Sequence, residues 1–141
     1  FVKQLMDKAS NRAQDRGQIR TLLGRLCRFH LWEPNSFGMH KAMTHEDALR
    51  EHGPGIKRAY TYKALNKLIQ GSAADMTKKA MLELYKEGII PHIQIHDELD
   101  ISVQDDSHAK KIIEIMEDAV TLEVPNKVDY EYGDNWGDIH G

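Results

Sequence analysis

Between His92 and Val103 the chain alternates with period two. Ile93, Ile95, Asp97, Leu99, Ile101 and Val103 share one parity, and His92, Gln94, His96, Glu98, Asp100 and Ser102 share the other. Strict alternation is the mark of a half-buried strand. Asp97 breaks the apolar set. In one straight strand it would be a buried, unpaired charge, which costs roughly several kcal/mol. A hairpin folded at His96-Asp97-Glu98 removes that cost. It predicts two short strands with their apolar faces toward the core and the acids at an exposed tip, although no Asn-Gly or Gly-X pair marks the turn.

Helical periodicity fills most of the rest. Phe1, Leu5, Ala9 and Ala13 recur every four residues and Gly17 follows, which predicts an amphipathic helix with a glycine stop. Its outer face carries Lys3, Lys8, Arg12 and Arg16. Ile19–Leu23 and Leu26–Trp32 read as strands of a hairpin about Gly24-Arg25. Residues 33–58 read as an insertion bounded by structure breakers, with a short helix capped by Thr44-x-x-Asp47 and reaching His52. The longest pattern, about Tyr60–Lys86, carries Leu65, Leu68, Ile69, Ala73, Met76, Ala80 and Leu84. Gly71 and the cap-like Ser72-x-x-Asp75 leave two helices or one kinked helix open. Asp105 or Asp106 caps a helix reaching about Val120, and Val128–Tyr132 reads as a last strand.

The chain has 141 residues, enough for one modest domain with its own core. No apolar run is of membrane-spanning length, and Cys27 is the sole cysteine, which fits a reducing, cytoplasmic setting. Phe1 is not an initiator methionine, so the chain reads as a processed product or a piece of something longer. The net charge of −3 conceals a balance of +8 over residues 1–86 and −11 over 87–141. A basic part beside an acidic part fits a polyanion surface next to a cation site, although exposed helices carry Lys and Arg in any case.

Two placements bear on chemistry. Adjacent Asp97 and Glu98 on a rigid turn suit a hard divalent cation such as Mg2+; the plain alternative is a solvated acidic turn. Tyr62, Asn66 and Gln70 form an i, i+4, i+8 column flanked by Lys63 and Lys67. Amides at that spacing match minor-groove acceptors common to all base pairs, and the column equally fits a solvated helix face. His40, His45 and His52 read as surface histidines rather than zinc ligands.

Three ordered blocks carry a resemblance. Ala64 through Asp75 (A-L-N-K-L-I-Q-G-S-A-A-D), Ile95 through Leu99 (I-H-D-E-L) and the T-L-L-G-R within Gly17–Arg25 resemble motifs of the family A DNA polymerases, meaning bacterial DNA polymerase I and its phage replicative relatives. Asn135-Trp136 with His140 resembles the family's C-terminus, and the wording leans towards a phage-like enzyme. The resemblance implies a C-terminal palm portion and DNA-directed DNA polymerase activity by a two-metal mechanism. Asp97 and Glu98 would bind catalytic Mg2+. His96 would lie near the primer terminus, and Asn66, Gln70 and Tyr62 would touch primer–template DNA. Tyr62 stands where bacterial relatives tend to carry Arg, and Asp100 has no assigned role. Deoxynucleoside triphosphates are the implied substrates.

The family's first metal aspartate and its fingers helix have no match here. The expectation is a chain inactive alone, completed by a remaining polymerase segment in the same or a separate chain. The alternative is a non-enzymatic module that binds primer–template or a polymerase partner. The expected architecture is α+β: a small antiparallel sheet with a central hairpin packed by helices.

Overall fold

The computed structural model describes residues 1–139. His140 therefore lies outside the described residues. The class is α+β as expected, but the described strands form three separate two-stranded antiparallel sheets rather than one. The chain divides into two compact units, Phe1–Asp75 and the residues from Met76 onward.

In the first unit, helix α1 spans Val2–Arg16 and ends where Gly17 turns left-handed at φ 66. Gly17 N–H donates to Ala13 O, and its own carbonyl accepts from Phe29 N–H at 2.8 Å. That bond aligns the next hairpin, β1 (Gln18–Arg20) with β2 (Leu26–Arg28), in the register Gln18↔Arg28. Ala9, Ala13, Ile19, Phe29 and Ala64 make the core, with Cys27, Leu65 and Leu68 packed against it.

The strand expected over Leu26–Trp32 is divided in two. β3 (Trp32–Pro34) leaves β1 and β2 to pair with β4 (Ile56–Arg58), so the run at 26–32 serves two sheets. This pair closes the stem of the 33–58 excursion, with Asn35 N–H bonded to Gly55 O at 2.8 Å. Inside it, α2 (His45–His52) begins with the expected cap, the Thr44 hydroxyl accepting from Asp47 N–H. Arg58 fixes the base of the stem. Its backbone N–H and carbonyl bond the Gln14 amide, its guanidinium reaches Gln14 O and Phe29 O, and it lies 4.6 Å from the Trp32 ring centre.

A single 3-10 turn, Thr61–Lys63, leads into α3, Ala64–Lys86. This answers the open choice at Gly71: one continuous helix passes through it. Ser72 and Asp75 cap nothing.

In the second unit, β5 (Ile93–Ile95) pairs with β6 (Glu98–Asp100), and α4 (Asp106–Asp118) starts at Asp105, whose carboxylate accepts from His108 N–H at 2.8 Å. Leu84, Ile89 and Ile112 are buried together, with Leu99, Ile101, Ile115 and Met116 against them. The strand expected at Val128–Tyr132 is absent. Val128 N–H goes to the Glu117 carboxylate at 3.0 Å instead of a neighbouring strand, and the Tyr130 and Tyr132 rings stack 6.1 Å apart. A short helix, α5 (Trp136–Ile139), ends the described chain.

Candidate nucleic-acid and metal site

The hairpin turns on two residues, His96 and Asp97, one shorter than expected, and Glu98 is already in β6. Primed two-residue turns match the right-handed twist of their strands and require positive φ at the first central residue. His96 supplies it, with φ 51. The Gln94 side chain donates to His96 O at 2.6 Å and braces the turn. Asp97 is exposed at the tip as expected, whereas Glu98 departs from the expectation, being half-buried at the start of β6.

The expected burial of both apolar strand faces is overturned. The pairs are Ile93↔Asp100, Gln94↔Leu99 and Ile95↔Glu98. Partners in an antiparallel pair point to the same side. Ile93 and Ile95 therefore share a face with Glu98 and Asp100, while Leu99 shares the core face with Gln94. The cause is the turn length. A two-residue connection pairs residues of opposite parity, so the parity of the apolar set changes face between the strands. Ile93 and Ile95 remain 47% and 39% exposed. On their face one Asp100 carboxylate oxygen, Oδ2, is buried without a hydrogen-bond donor.

His92 is engaged with the Ser102 hydroxyl at 2.9 Å. Among the described residues, no three His, Cys, Asp or Glu side chains converge as a metal-binding group. By donor chemistry, sequence-adjacent carboxylates, Asp97 at the turn and Glu98 at the start of β6, fit Mg2+. They would fill part of an octahedral shell, with waters making up the rest.

The first unit holds the other expected residues. Asn66, Lys67 and Gln70 are exposed on α3, with Asn66 and Gln70 one turn apart. Tyr62 lies in the preceding 3-10 turn, so the i, i+4 column is helical only from Asn66 onward. A cleft of about 330 Å³ opens beside Gln70, lined by Thr21, Arg25, Cys27, Lys67 and Gly71 among others, with no acid in its wall.

A network that sequence reasoning missed sets α3 against the β1–β2 turn. Asp75 is 5% exposed. Its carboxylate takes Arg25 Nε at 2.9 Å and Leu23 N–H at 3.3 Å. Burial pushes the Asp75 carboxyl up, but hydrogen bonds from Thr21, Arg25 and Leu23 and the Arg25 charge outweigh it and hold it below its ordinary value. Arg25 Nη2 also donates to Gly71 O at 2.8 Å, and the Ser72 hydroxyl accepts from Leu22 N–H at 3.0 Å. The available signal was Asp75 itself: a charge seven residues after Leu68, on the buried stripe, needs a partner, and T-L-L-G-R contains one.

Gly71 allows this approach. A Cβ there would lie 2.7 Å from Thr21 Cγ2. Gly71→Ala should destabilise the chain by about 1–3 kcal/mol, the usual range for overpacking. Thr21→Ser removes the clashing methyl, so the double variant should recover part of the loss in urea unfolding. Strict additivity would refute the contact.

Against known proteins, the model of DNA polymerase family A matches residues 1–138. The chain is similar to a DNA-directed DNA polymerase of Pseudomonas phage M6, 37% identical over 141 residues, covering all of this chain and 18% of that protein. It is similar to DNA polymerase I of Geobacillus stearothermophilus, 35% identical over 146 residues, covering 97% of this chain and 15% of that one. In structure it resembles the POL domain of Pol1 from M. smegmatis, in complex with DNA primer–template and dNTP. The TM-score is 0.68 at 27% identity, covering 99% of this chain and 23% of that one. The chain thus spans under a fifth of the length of these two sequence relatives.

Proposed function

The chain belongs to DNA polymerase family A, and from that premise we propose that it supplies the palm hairpin and the primer–template contacts of template-dependent nucleotidyl transfer. The observation that carries this reading is the braced turn, which presents Asp97 to solvent beside Glu98. In the reaction the primer 3′ oxygen attacks the α-phosphate of a deoxynucleoside triphosphate. A new phosphorus–oxygen bond forms, and the bond to the pyrophosphate leaving group breaks. Bound Mg2+ would supply charge neutralisation and a site for the attacking and leaving oxygens. Asp97 and Glu98 would hold it. His96 would stand next to the primer end. Asn66 and Gln70 would meet groove acceptors that hardly vary with sequence, so any base pair is held and its shape is sensed. Positioning and charge neutralisation are most of phosphoryl-transfer catalysis.

The remaining polymerase segment, in the same or a separate chain, would complete the site. The exposed Ile93 and Ile95 and the donorless Asp100 oxygen support this, because a covering segment would bury the first two and pair the third. The working compartment would be the cytoplasm of a bacterial cell or a phage-infected host. No helix among the described residues is long and apolar enough to cross a membrane.

A labelled-primer extension assay in Mg2+ tests the proposal. The polypeptide that unites this chain with a family A upstream segment should extend the primer, and the 141-residue chain alone should not. Extension by the chain alone would refute the need for the remainder. Inactivity of the united polypeptide would refute the catalytic reading.

A further inference from the structure

We propose that Lys63 and Lys67 form a two-point clamp on the phosphates of one strand of duplex DNA, each pre-positioned by aromatic rings. The clamp rests on the DNA-binding reading above and adds to it two residues that the amide column did not include.

The lysines are placed by their surroundings. Lys63 Nζ lies 5.2 Å from the Tyr60 ring centre and 5.6 Å from that of Tyr62. Lys67 Nζ lies 5.5 Å from the centre of the Phe29 ring, which is itself fixed in the core. All three separations are within the range of cation–π attraction. The backbone on either side of Tyr60 is anchored. Its neighbours Ala59 and Thr61 are buried, Ala59 N–H is bonded to Leu31 O at 2.9 Å, and the Gln14 amide bonds Arg58 O and the Thr61 hydroxyl. Between these fixed points Tyr60 takes φ 63, a left-handed backbone that bulky residues rarely adopt. The ring is thereby presented to Lys63.

Both lysines are exposed, and among the described residues neither makes an ion pair. The first turn of α3 contains no acid. An aromatic face orients an ammonium without cancelling its charge, as a carboxylate would. The order is therefore present before binding, which lowers the entropy lost when a ligand arrives. The ligand this arrangement fits is a repeated anion. Lys63 ends the 3-10 turn and Lys67 lies in the first turn of α3, so four steps of about 1.5–2.0 Å rise separate them by roughly 6–8 Å along the axis. A duplex strand places one charge about every 3.4 Å of its axis, so two separate phosphates are within reach. Asn66 lies between the two lysines in sequence, so strand-gripping and groove-reading groups alternate. Phosphate contacts fix register and orientation, and groove contacts read the bases.

The test is the salt dependence of primer–template affinity for the polypeptide of native length. Each phosphate contact contributes about 0.9 to the slope of log K against log salt. Lys63→Gln and Lys67→Gln should each flatten the slope by about 0.9, the double variant by about 1.8, and Lys63→Arg should restore it. Asn66→Ala should weaken binding without changing the slope. A double variant with the wild-type slope would overturn the clamp while leaving the DNA-binding reading intact. Absence of salt-dependent binding by the unsubstituted polypeptide would overturn both.

Discussion

Asp97→Asn in the polypeptide of native length should lower primer extension about a thousandfold while leaving primer–template affinity within about threefold. The substitution keeps the side chain's size and one acceptor oxygen but removes the charge. Metal-assisted stabilisation of transferring phosphoryl oxygens is worth roughly several kcal/mol, and each 1.4 kcal/mol or so is tenfold in rate. Loss of the proposed carboxylate ligand should forfeit much of that. Folding should be unaffected, because Asp97 is exposed at a turn whose backbone is set by His96 and braced by Gln94. Rates from pre-steady-state extension, with binding and thermal unfolding measured on the same preparation, separate these effects. Activity within tenfold of the parent would remove Asp97 from the metal site.

The second large effect is on stability. Asp75→Ala should destabilise the first unit by about 2–4 kcal/mol, less than the roughly 3–5 kcal/mol of breaking a fully buried ion pair because Arg25 is half-exposed. The loss includes the acceptor for Leu23 N–H and for Arg25 Nε, and so the tie between the β1–β2 turn and α3. The pH dependence has a definite sign. The Asp75 carboxyl is held below its ordinary value of 3.8 in the folded chain. Its contribution is therefore fully present above pH 3.8 and is lost as pH falls through the lower, folded value. Asp75→Asn should remove that part of the acid sensitivity. Urea unfolding at pH 7 and at pH 3 measures both. An unchanged midpoint at pH 7 for Asp75→Ala would show that the pair does not stabilise the fold.

Much of this architecture was legible because it is governed by neighbours in sequence. The glycine stop of α1, the Thr44 cap and the apolar stripe of α3 are decided within one or two helical turns. The position of the acidic tip followed from the cost of burying Asp97. What escaped were features decided by distant partners. Ser72 and Asp75 have the spacing of a helix cap, and only the proximity of Leu22, Leu23 and Arg25 diverts them to another use. Val128–Tyr132 has the composition of a strand, but pairing requires a neighbour, and Glu117 occupies the Val128 N–H. The facing of Ile93 and Ile95 depended on a single residue of turn length, which alternation cannot specify. At the site, adjacency made Asp97 and Glu98 visible, whereas the aromatic rings that orient Lys63 and Lys67 come partly from residues over thirty positions away.

The parity change across the His96-Asp97 turn also bears on how such a chain tolerates changes in length. Inserting one codon there leaves Ile95 opposite Glu98 if the turn simply lengthens; if the pairing slips to keep a two-residue turn, Ile95 and Leu99 come to a common face and Asp97 joins them on it. Either way Asp97 and Glu98 are displaced relative to the strands that carry them. Variants gaining that codon should lose primer extension, and selection for activity would discard them. The excursion closed by β3 and β4 is the opposite case. Its ends are fixed to each other by backbone pairing, so codons gained or lost between Asn35 and Lys41 leave both anchor points in place. Natural length variation among close kin of this chain should therefore concentrate in that loop and spare the two-residue turn.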